Sequence, residues 1–416
     1  MPRFLHLADI HLGFDRYDSK ERTRDFYFAF QDALQRYAVD EAVDFVVIAG
    51  DLFEHRTIQP NILNQAKACF ELLRDAHIPA IAIEGNHDNR PYGTVTSWLK
   101  YLSEDGLVML LEPSPQGGEL VYEMWDGQAG GYIDLDCGVR VLGTQWYGAS
   151  APRAIESLVR AMDNLPPSPG YNVMLFHGGL EGQIARYQGA LRYNDLLPLK
   201  HAGIDYLALG HIHKSYVEQG WIFNPGSIEA NSIEESTFDR GCFLVELTSD
   251  GIKADLKQDY HQRSLIRLQL KTTGQESAEA VEADAIAAIQ TAISKGQIDP
   301  ALQPMVELKI EGKVGFDRFE LDIRKLQQDL QHLSGALIFL LKYDVDAIEY
   351  ASPLSEEATR LEIEQEVFTD LLAANNTYKK RASELAKGMI DLKDLQMDDR
   401  SETELYDFVA TMLDKA

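Results

Sequence analysis

The chain has 416 residues, 45% of them hydrophobic and 25% charged, with a formal net charge of −27. That length predicts more than one core, and without a run of about 18 apolar residues no segment reads as a membrane span. Both the first 260 residues and the remainder are acidic, which counts against broad polyanion binding, so any phosphate site must be local, built from metal ions and a few arginines.

The N-terminal stretch Phe4-Leu5-His6-Leu7 enters directly as a strand, with no basic, apolar leader. Cys69, Cys137 and Cys242 are widely spaced and form no CxxC pair. They read as reduced thiols of a cytoplasmic protein, not as a disulfide frame or zinc site. Taken in chain order, the first 250 residues alternate short apolar runs with helix-spaced ones, which predicts a layered α/β fold. The strand-like runs are 4–8, 45–49, 80–84, 173–176 and 206–209. Phe26, Phe30, Ala33, Leu34 and Tyr37 recur at helical spacing after the first, and Ile62, Ala66, Phe70 and Leu73 after the second. Stretches 130–147 and 240–258 read as hairpins turning near Gly138 and Gly251, and the proline-rich 166–170 as a loop.

From about 264 the pattern becomes strand 265–271, helix 277–294, strand 305–311, helix 319–332 and strand 336–342, a small α+β unit. Beyond Pro353 it turns strand-poor and helical. Three apolar stripes follow, on Val367, Phe368, Leu371 and Leu372; on Tyr378, Ala382, Leu385, Met389 and Leu392; and on Leu405, Phe408, Val409, Met412 and Leu413. The expected division is 1–260, 264–350 and a helical arm at 354–416.

Five apolar runs end in the same kinds of residue: Asp9-Ile10-His11, Gly50-Asp51, Gly85-Asn86-His87-Asp88, His177 and Gly210-His211-Ile212-His213. Loops after the carboxyl ends of such strands converge, and there α/β proteins build their sites. A lone DxH or HxH means little. Five in order, each at a strand end, predict a cleft lined by Asp9, His11, Asp51, Asn86, His177, His211 and His213, since burying so many polar groups without partners is costly. Alternate residues of an extended segment point the same way, which would aim Asp9 with His11 and His211 with His213 into one cleft. The glycines at 50, 85 and 210 are expected to let the backbone turn sharply. Imidazole, carboxylate and amide donors without thiolate suit manganese or iron, with magnesium weaker.

These motifs, in this order, resemble the calcineurin-like metallophosphoesterase superfamily. Within it, Leu7-Ala8-Asp9-Ile10-His11-Leu12-Gly13, Ala49-Gly50-Asp51-Leu52-Phe53 and Ala208-Leu209-Gly210-His211-Ile212-His213 look like the bacterial SbcD family, relatives of the nuclease in the eukaryotic MRN break-repair complex. The resemblance implies a four-layer α/β sandwich with an α+β capping domain and a helical C-terminal arm. It implies two divalent ions, taken as Mn²⁺, one on Asp9, His11, Asp51 and His213 and the other on Asp51, Asn86, His177 and His211, with Asp51 between them. It also implies a DNA exonuclease and endonuclease that acts as a homodimer with an SbcC-like coiled-coil ATPase docked on the arm.

In that family the position of His87 is the catalytic histidine, which protonates the leaving oxygen or stabilises its charge. Archaeal and eukaryotic members place a second histidine three residues after Asp51, where Glu54 stands here. An acid there implies that Glu54 orients His87; a solvated loop acid is the plainer reading. His55 reads as a surface residue, Asp88 as a loop brace, His6 as a core or outer-shell histidine, and Asn224-Pro225-Gly226-Ser227 as the site floor. Arg90, Arg186, Arg192 and Lys214 stand near the ligand loops, as phosphate contacts or plain surface charges. A small-molecule phosphodiesterase or phosphatase is the alternative function, and a scaffold with a vestigial site a third, which the full ligand set opposes.

Overall fold

The computed structural model describes every residue except Tyr92, 185–189, 318–319, 348–358, 374–377, Asp399 and 415–416. Two units divide it, Met1–Ile266 and Arg267–Ala416.

The first unit runs β1 (Arg3–Leu7), α1 (Lys20–Leu34), β2 (Phe45–Ile48), α2 (Pro60–Asp75), β3 (Ala80–Ala82), α3 (Trp98–Glu104) and β4 (Met109–Leu110). Then come β5 (Ser114–Gln116), β6 (Glu119–Val121), β7 (Tyr132–Leu135), β8 (Val139–Leu142), α4 (Ala151–Met162), β9 (Tyr171–His177), α5 (Tyr193–His201) and β10 (Tyr206–Gly210). It closes with β11 (Tyr216–Glu218), β12 (Ile222–Asn224), β13 (Cys242–Thr248) and β14 (Gly251–Lys257). Two six-stranded sheets result, ordered β14-β13-β1-β2-β3-β4 and β11-β12-β10-β9-β8-β7.

Side-chain alternation builds the layers. Phe4, Phe45, Val47, Ile81, Val173, Leu175, Tyr206 and Ala208 point into one core shared by the two sheets. Their neighbours Leu5, Leu7, Val46 and Ile48 pack outward on Phe30, Ala33, Ala66 and Phe70 of α1 and α2. On the far side, Met174, Phe176, Leu207 and Leu209 meet Ile155, Leu158, Leu196 and Leu199 of α4 and α5. Helix, sheet, sheet and helix therefore stack in four layers. Strands buried on both faces read as unbroken apolar runs, which is why the sequence displays them so clearly. The expected hairpins are β7–β8 and β13–β14, with positive φ at Gly138 (84°) and Gly251 (134°).

His6, fully buried on β1, spans the two sheets through Tyr206 Oη (2.9 Å) and the Leu209 carbonyl (3.1 Å). Burial lowers its pKa to about 3, so it is a neutral core bridge.

A buried charge network fastens the start of α1. Arg22 donates to Asp25 Oδ2 (3.0 Å), to Glu229 Oε1 (3.3 Å) and to the Ala230 carbonyl, while Arg263 Nη2 reaches Asp25 Oδ1 at 2.7 Å. Burial alone would raise the Asp25 carboxyl, but hydrogen bonds from His261 and Arg263 and the charge of Arg22 hold it at about 2, against 3.8 ordinarily. A carboxyl whose pKa falls on folding contributes stability that is fully present above its unfolded value and is lost as pH falls through the folded one. Asp25→Asn is therefore expected to cost roughly 2 kcal/mol at pH 7, with the gap to wild type closing by about pH 2. Denaturant melts at pH 7, 4 and 2 check this; a gap independent of pH would reject it.

The second unit holds β15 (Leu265–Thr273), α6 (Ala278–Ser294), β16 (Met305–Val314), α7 (Ile323–Ser334) and β17 (Ile338–Ala347), the strands ordered β15-β16-β17 with β16 parallel to β17. α7 starts four residues later than the helical spacing suggests, because the Asp322 side chain caps it by accepting from Lys325 N at 3.0 Å. Glu307, 1% exposed, sits between Arg267 (2.8 Å) and Lys342 (2.7 Å). Further along the chain come α8 (Arg360–Ala373), α9 (Ala382–Met397) and α10 (Glu402–Asp414). Lys393 bridges α9 to Glu364 of α8 at 2.5 Å, and Arg381 Nη2 bonds the Met412 carbonyl of α10 at 3.0 Å. Only α9 buries a stripe, on Ala382, Leu385, Ala386 and Ile390; Leu361, Ile363, Val367 and Leu371 of α8 stay exposed. No helix of the described residues is long and apolar enough to cross a membrane.

Candidate metal centre

The last residues of five strands of the sandwich, β1, β2, β3, β9 and β10, or the loops that follow them, carry the seven candidate ligands together with Glu54 and His87. The ligand atoms of Asp9, His11 and His213 converge within 4.8 Å of one another, and so do those of Asp51, His177 and His211. Asn86 Oδ1 joins the second group, 3.0 Å from His177 Nε2. Asp51 is 1% exposed; its Oδ2 stands 3.2 Å from His177 Nε2 and its Oδ1 takes the His87 backbone N–H at 2.8 Å. Asp9 accepts the His211 backbone N–H on both oxygens, at 2.9 and 2.8 Å.

Strand alternation is not what aims these pairs. Asp9, His11 and Asp51 all have φ of 52°, and His211 has 87°. Non-glycine residues in the left-handed region are uncommon and carry strain that collects at functional sites. Here the strain is held by backbone bonds between the loops, Ile10 N to the Asp51 carbonyl (2.9 Å) and Leu12 N to the Leu52 carbonyl (2.9 Å). All three glycines are needed for space, and Gly50, with φ of 94° and a Cβ that would lie 2.3 Å from His177 Nδ1, needs its freedom to turn as well. A Cβ at 85 would lie 2.1 Å from Asp51 Oδ1, and one at 210 would lie 2.4 Å from the Ala49 carbonyl.

Outer partners decide which ring nitrogen faces inward. His177 Nδ1 is 2.8 Å from the Ala49 carbonyl, which can only accept, so Nδ1 carries a hydrogen and, in the neutral ring, Nε2 holds the lone pair. His213 Nδ1 donates to Glu235 Oε1 at 3.0 Å, leaving its Nε2 3.2 Å from His11 Nε2. His11 Nδ1 lies 2.8 Å from Glu54 Oε2, at ion-pair distance but without the alignment of a hydrogen bond. Burial by itself lowers the His177 and His213 imidazoles; Asp51 beside the first and Glu235 beside the second raise each to about 9. Burial lowers His211 to about 4, with the His177 charge adding to the effect. For Asp51, burial pushes upward, yet His177, His11 and His87 pull it well below the carboxylate range. The carboxylates of Asp9, Asp51 and Glu235 thus favour positive charge on His177 and His213. With donors of carboxylate, amide and imidazole type and no thiolate, the residues fit two divalent cations.

His87 stands beside the first cluster, its ring centroid 5.0 Å from that of His11. Its Nδ1 is 2.8 Å from the Glu54 backbone carbonyl, whereas the Glu54 carboxylate is 3.8 Å away and nearer to His11. The main chain of Glu54, more than its acid, meets His87. Asp88 braces the loop by accepting from Leu52 N and Gly85 N, both at 2.7 Å; burial, then the nearby Asp51 charge, raises its carboxyl to about 7. Asn224 supports the floor through the Ile212 and Lys214 carbonyls at 2.6 and 2.9 Å.

Of the candidate phosphate contacts, Arg90 is taken by both oxygens of Glu112 (2.7 Å each), and Arg192 lies 3.9 Å from Glu181. Lys214 reaches the Gln183 carbonyl at 3.5 Å, His55 is half exposed 3.2 Å from Asp15, and Arg186 lies outside the described residues. Two residues escaped the sequence reading. Arg56, bonded to the Asn86 carbonyl at 3.2 Å, had as its only signal a place five residues after Asp51. Glu235 lies 22 residues beyond its partner in a stretch with no motif.

Residues 2–215 match the family model of the calcineurin-like phosphoesterases. Among curated proteins, the chain is 31% identical over 248 residues to the DNA double-strand break repair protein Mre11 of Archaeoglobus fulgidus, an alignment covering 56% of this chain and 52% of that one. It is 29% identical over 260 residues to the Mre11 of Saccharolobus solfataricus, covering 60% and 61% respectively. It is also 26% identical over 272 residues to the uncharacterized metallophosphoesterase YhaO of Bacillus subtilis, covering 61% and 60%. The chain thus spans 52%, 61% and 60% of the lengths of these three relatives.

Proposed function

Since the chain belongs to the calcineurin-like phosphoesterase family, we propose that it is a manganese-dependent DNA nuclease of double-strand-break repair. The observation that carries the reading is the pair of ligand clusters, Asp9/His11/His213 and Asp51/His177/His211, with His87 alongside. The Mre11 relatives support DNA as the substrate. Resemblance to the SbcD family adds the finer picture: 3′-to-5′ exonuclease action on duplex ends, endonuclease action on single strands, and a homodimer.

Two bound divalent ions would supply Lewis acidity toward the phosphodiester and make a water nucleophilic near neutral pH. Asp9, His11 and His213 would hold one, Asn86, His177 and His211 the other, and Asp51 would serve both. The Glu54 carbonyl keeps a hydrogen on His87 Nδ1, so proton exchange falls to Nε2, which gives its proton to the departing oxygen. A ring steered by a carbonyl cannot swap tautomers during turnover, which suits a fixed acid.

A small-molecule phosphodiesterase is the second reading, favoured by the net charge of −27 and by the engagement of Arg90 with Glu112. An end-labelled duplex with Mn²⁺, and a cyclic nucleotide as competitor, separates the two. Shortening of the labelled strand that excess cyclic nucleotide does not slow supports the nuclease. Hydrolysis of the cyclic nucleotide with the duplex untouched would establish the second reading instead.

Residues 354–416 are the proposed docking arm for an SbcC-type ATPase. The exposed apolar residues of α8, Leu361 at 57%, Val367 at 50% and Leu371 at 65%, are the spaced anchors of helix-in-groove recognition. Deleting 354–416 is expected to leave Mn²⁺-dependent cleavage of short DNA intact while abolishing co-purification with the ATPase. A truncated protein that is inactive yet still binds the ATPase would assign the arm to the enzyme's own fold.

A further inference from the structure

We infer that Glu235 is a positioning residue that, together with Glu54, makes the Asp9/His11/His213 position the first of the two to fill with metal. The inference rests on the two-metal reading above. Its ground is the difference between what stands behind His213 and what stands behind His177. Behind His213 is the Glu235 carboxylate at 3.0 Å, and behind His11 is that of Glu54 at 2.8 Å. Behind His177 is a neutral carbonyl, Ala49, at 2.8 Å. Hydrogen-bonded to the far nitrogen of His213, the Glu235 carboxylate fixes the tautomer, holds the ring plane and makes the inward nitrogen a stronger donor than a carbonyl does, while Glu54, at ion-pair distance from His11 without the alignment of a hydrogen bond, adds its charge alone. The Asp9/His11/His213 cluster also has a carboxylate of its own besides Asp51, whereas Asn86 brings an uncharged oxygen to the other. Charge and basicity both favour a cation on the Asp9 side.

Glu235 is built for the task. It lies on a short 3-10 turn, Ile233–Thr237, and its second oxygen accepts from the Asn231 backbone N–H at 2.9 Å. Its side chain is 13% exposed, and its backbone carbonyl receives Arg240 Nη1 at 3.4 Å. Arg240 in turn lies 3.8 Å from Glu229, the partner of Arg22. A carboxylate held at both oxygens and anchored to a buried charge network cannot swing away to solvent, so its effect on His213 is preorganised. The contact is also independent of substrate, which separates it from catalysis proper.

The test is Mn²⁺ binding by the full-length protein, followed by calorimetry and by the loss of the free-ion electron paramagnetic signal, with no substrate present. Wild type is expected to take up two ions in two steps. His177→Ala should remove the weaker step and leave the tighter one. Glu235→Gln, which keeps an acceptor for the His213 N–H but loses the charge, should weaken the tighter step about tenfold, and Glu235→Ala about 100-fold, the usual range for such outer partners. The weaker step should move less than threefold in both, an outcome that general loss of structure would not produce. Glu235→Asp, restoring charge at shorter reach, should recover part of the affinity. Two wild-type steps that Glu235→Ala leaves unchanged, or a shift confined to the weaker step, would overturn the role of Glu235 alone. Uptake of one ion or none by wild type would overturn the two-metal reading and this inference with it.

Discussion

Asp51→Ala is expected to lower hydrolysis by at least about 10³-fold, the several kcal/mol that a metal clamp supplies to a phosphoryl transition state, and to leave the protein unable to hold two ions. The geometry gives this side chain two duties at once. Its Oδ2 faces His177 Nε2 at 3.2 Å, and its Oδ1 fastens the backbone of His87 at 2.8 Å. Truncation would remove the ligand proposed to be shared and also loosen the loop that carries Asn86 and His87. A terminal ligand behaves differently: His11→Ala deprives only one position, and high Mn²⁺ should recover part of its activity. Elemental analysis of the purified proteins decides the matter. Equal metal content in wild type and Asp51→Ala would mean that the two ions do not share this carboxylate.

The second large effect is expected at His87, where replacement by glutamine should lower the rate by about 10²–10⁴, the worth of a general acid, with both ions retained. The ring stands beside the first ligand cluster, its centroid 5.0 Å from that of His11, and its Nδ1 is committed to the Glu54 carbonyl. Its free nitrogen is therefore available to a leaving oxygen without loss of a ligand. An ester that needs no proton on departure tests the role directly. A nitrophenyl phosphodiester should lose much less activity than DNA in His87→Gln. If both substrates slow equally, His87 acts on binding or on metal geometry.

The seven proposed ligands were legible because each lies at the end of an apolar strand or within four residues beyond it, and strands buried on both faces cannot disguise their ends. A layered α/β fold was legible for the same reason, while the number of layers came with the resemblance: Phe4, Phe45, Val173 and Tyr206 face one core while Leu5, Val46 and Met174 face others. Less was legible in the exact aim of the side chains. Alternation along a strand suggested how Asp9 and His11 pair, yet both stand just past the strand with φ of 52°, a strained conformation that no propensity announces. Glu54 shows the same limit, since its position beside the histidines could be read but not whether its acid or its carbonyl would meet His87.

The sequence by itself determined the order of elements, the cleft at the strand ends and the chemical character of its donors, because periodicity and local turn chemistry are written within a few residues of each other. Tertiary structure alone decided the outer partners. Ala49 behind His177, Glu235 behind His213 and Arg263 on Asp25 join residues 128, 22 and 238 positions apart. Such contacts follow no local pattern: they exist because packing two sheets and their helices brings remote loops together, and because a buried polar atom must then bond to whatever that packing places beside it.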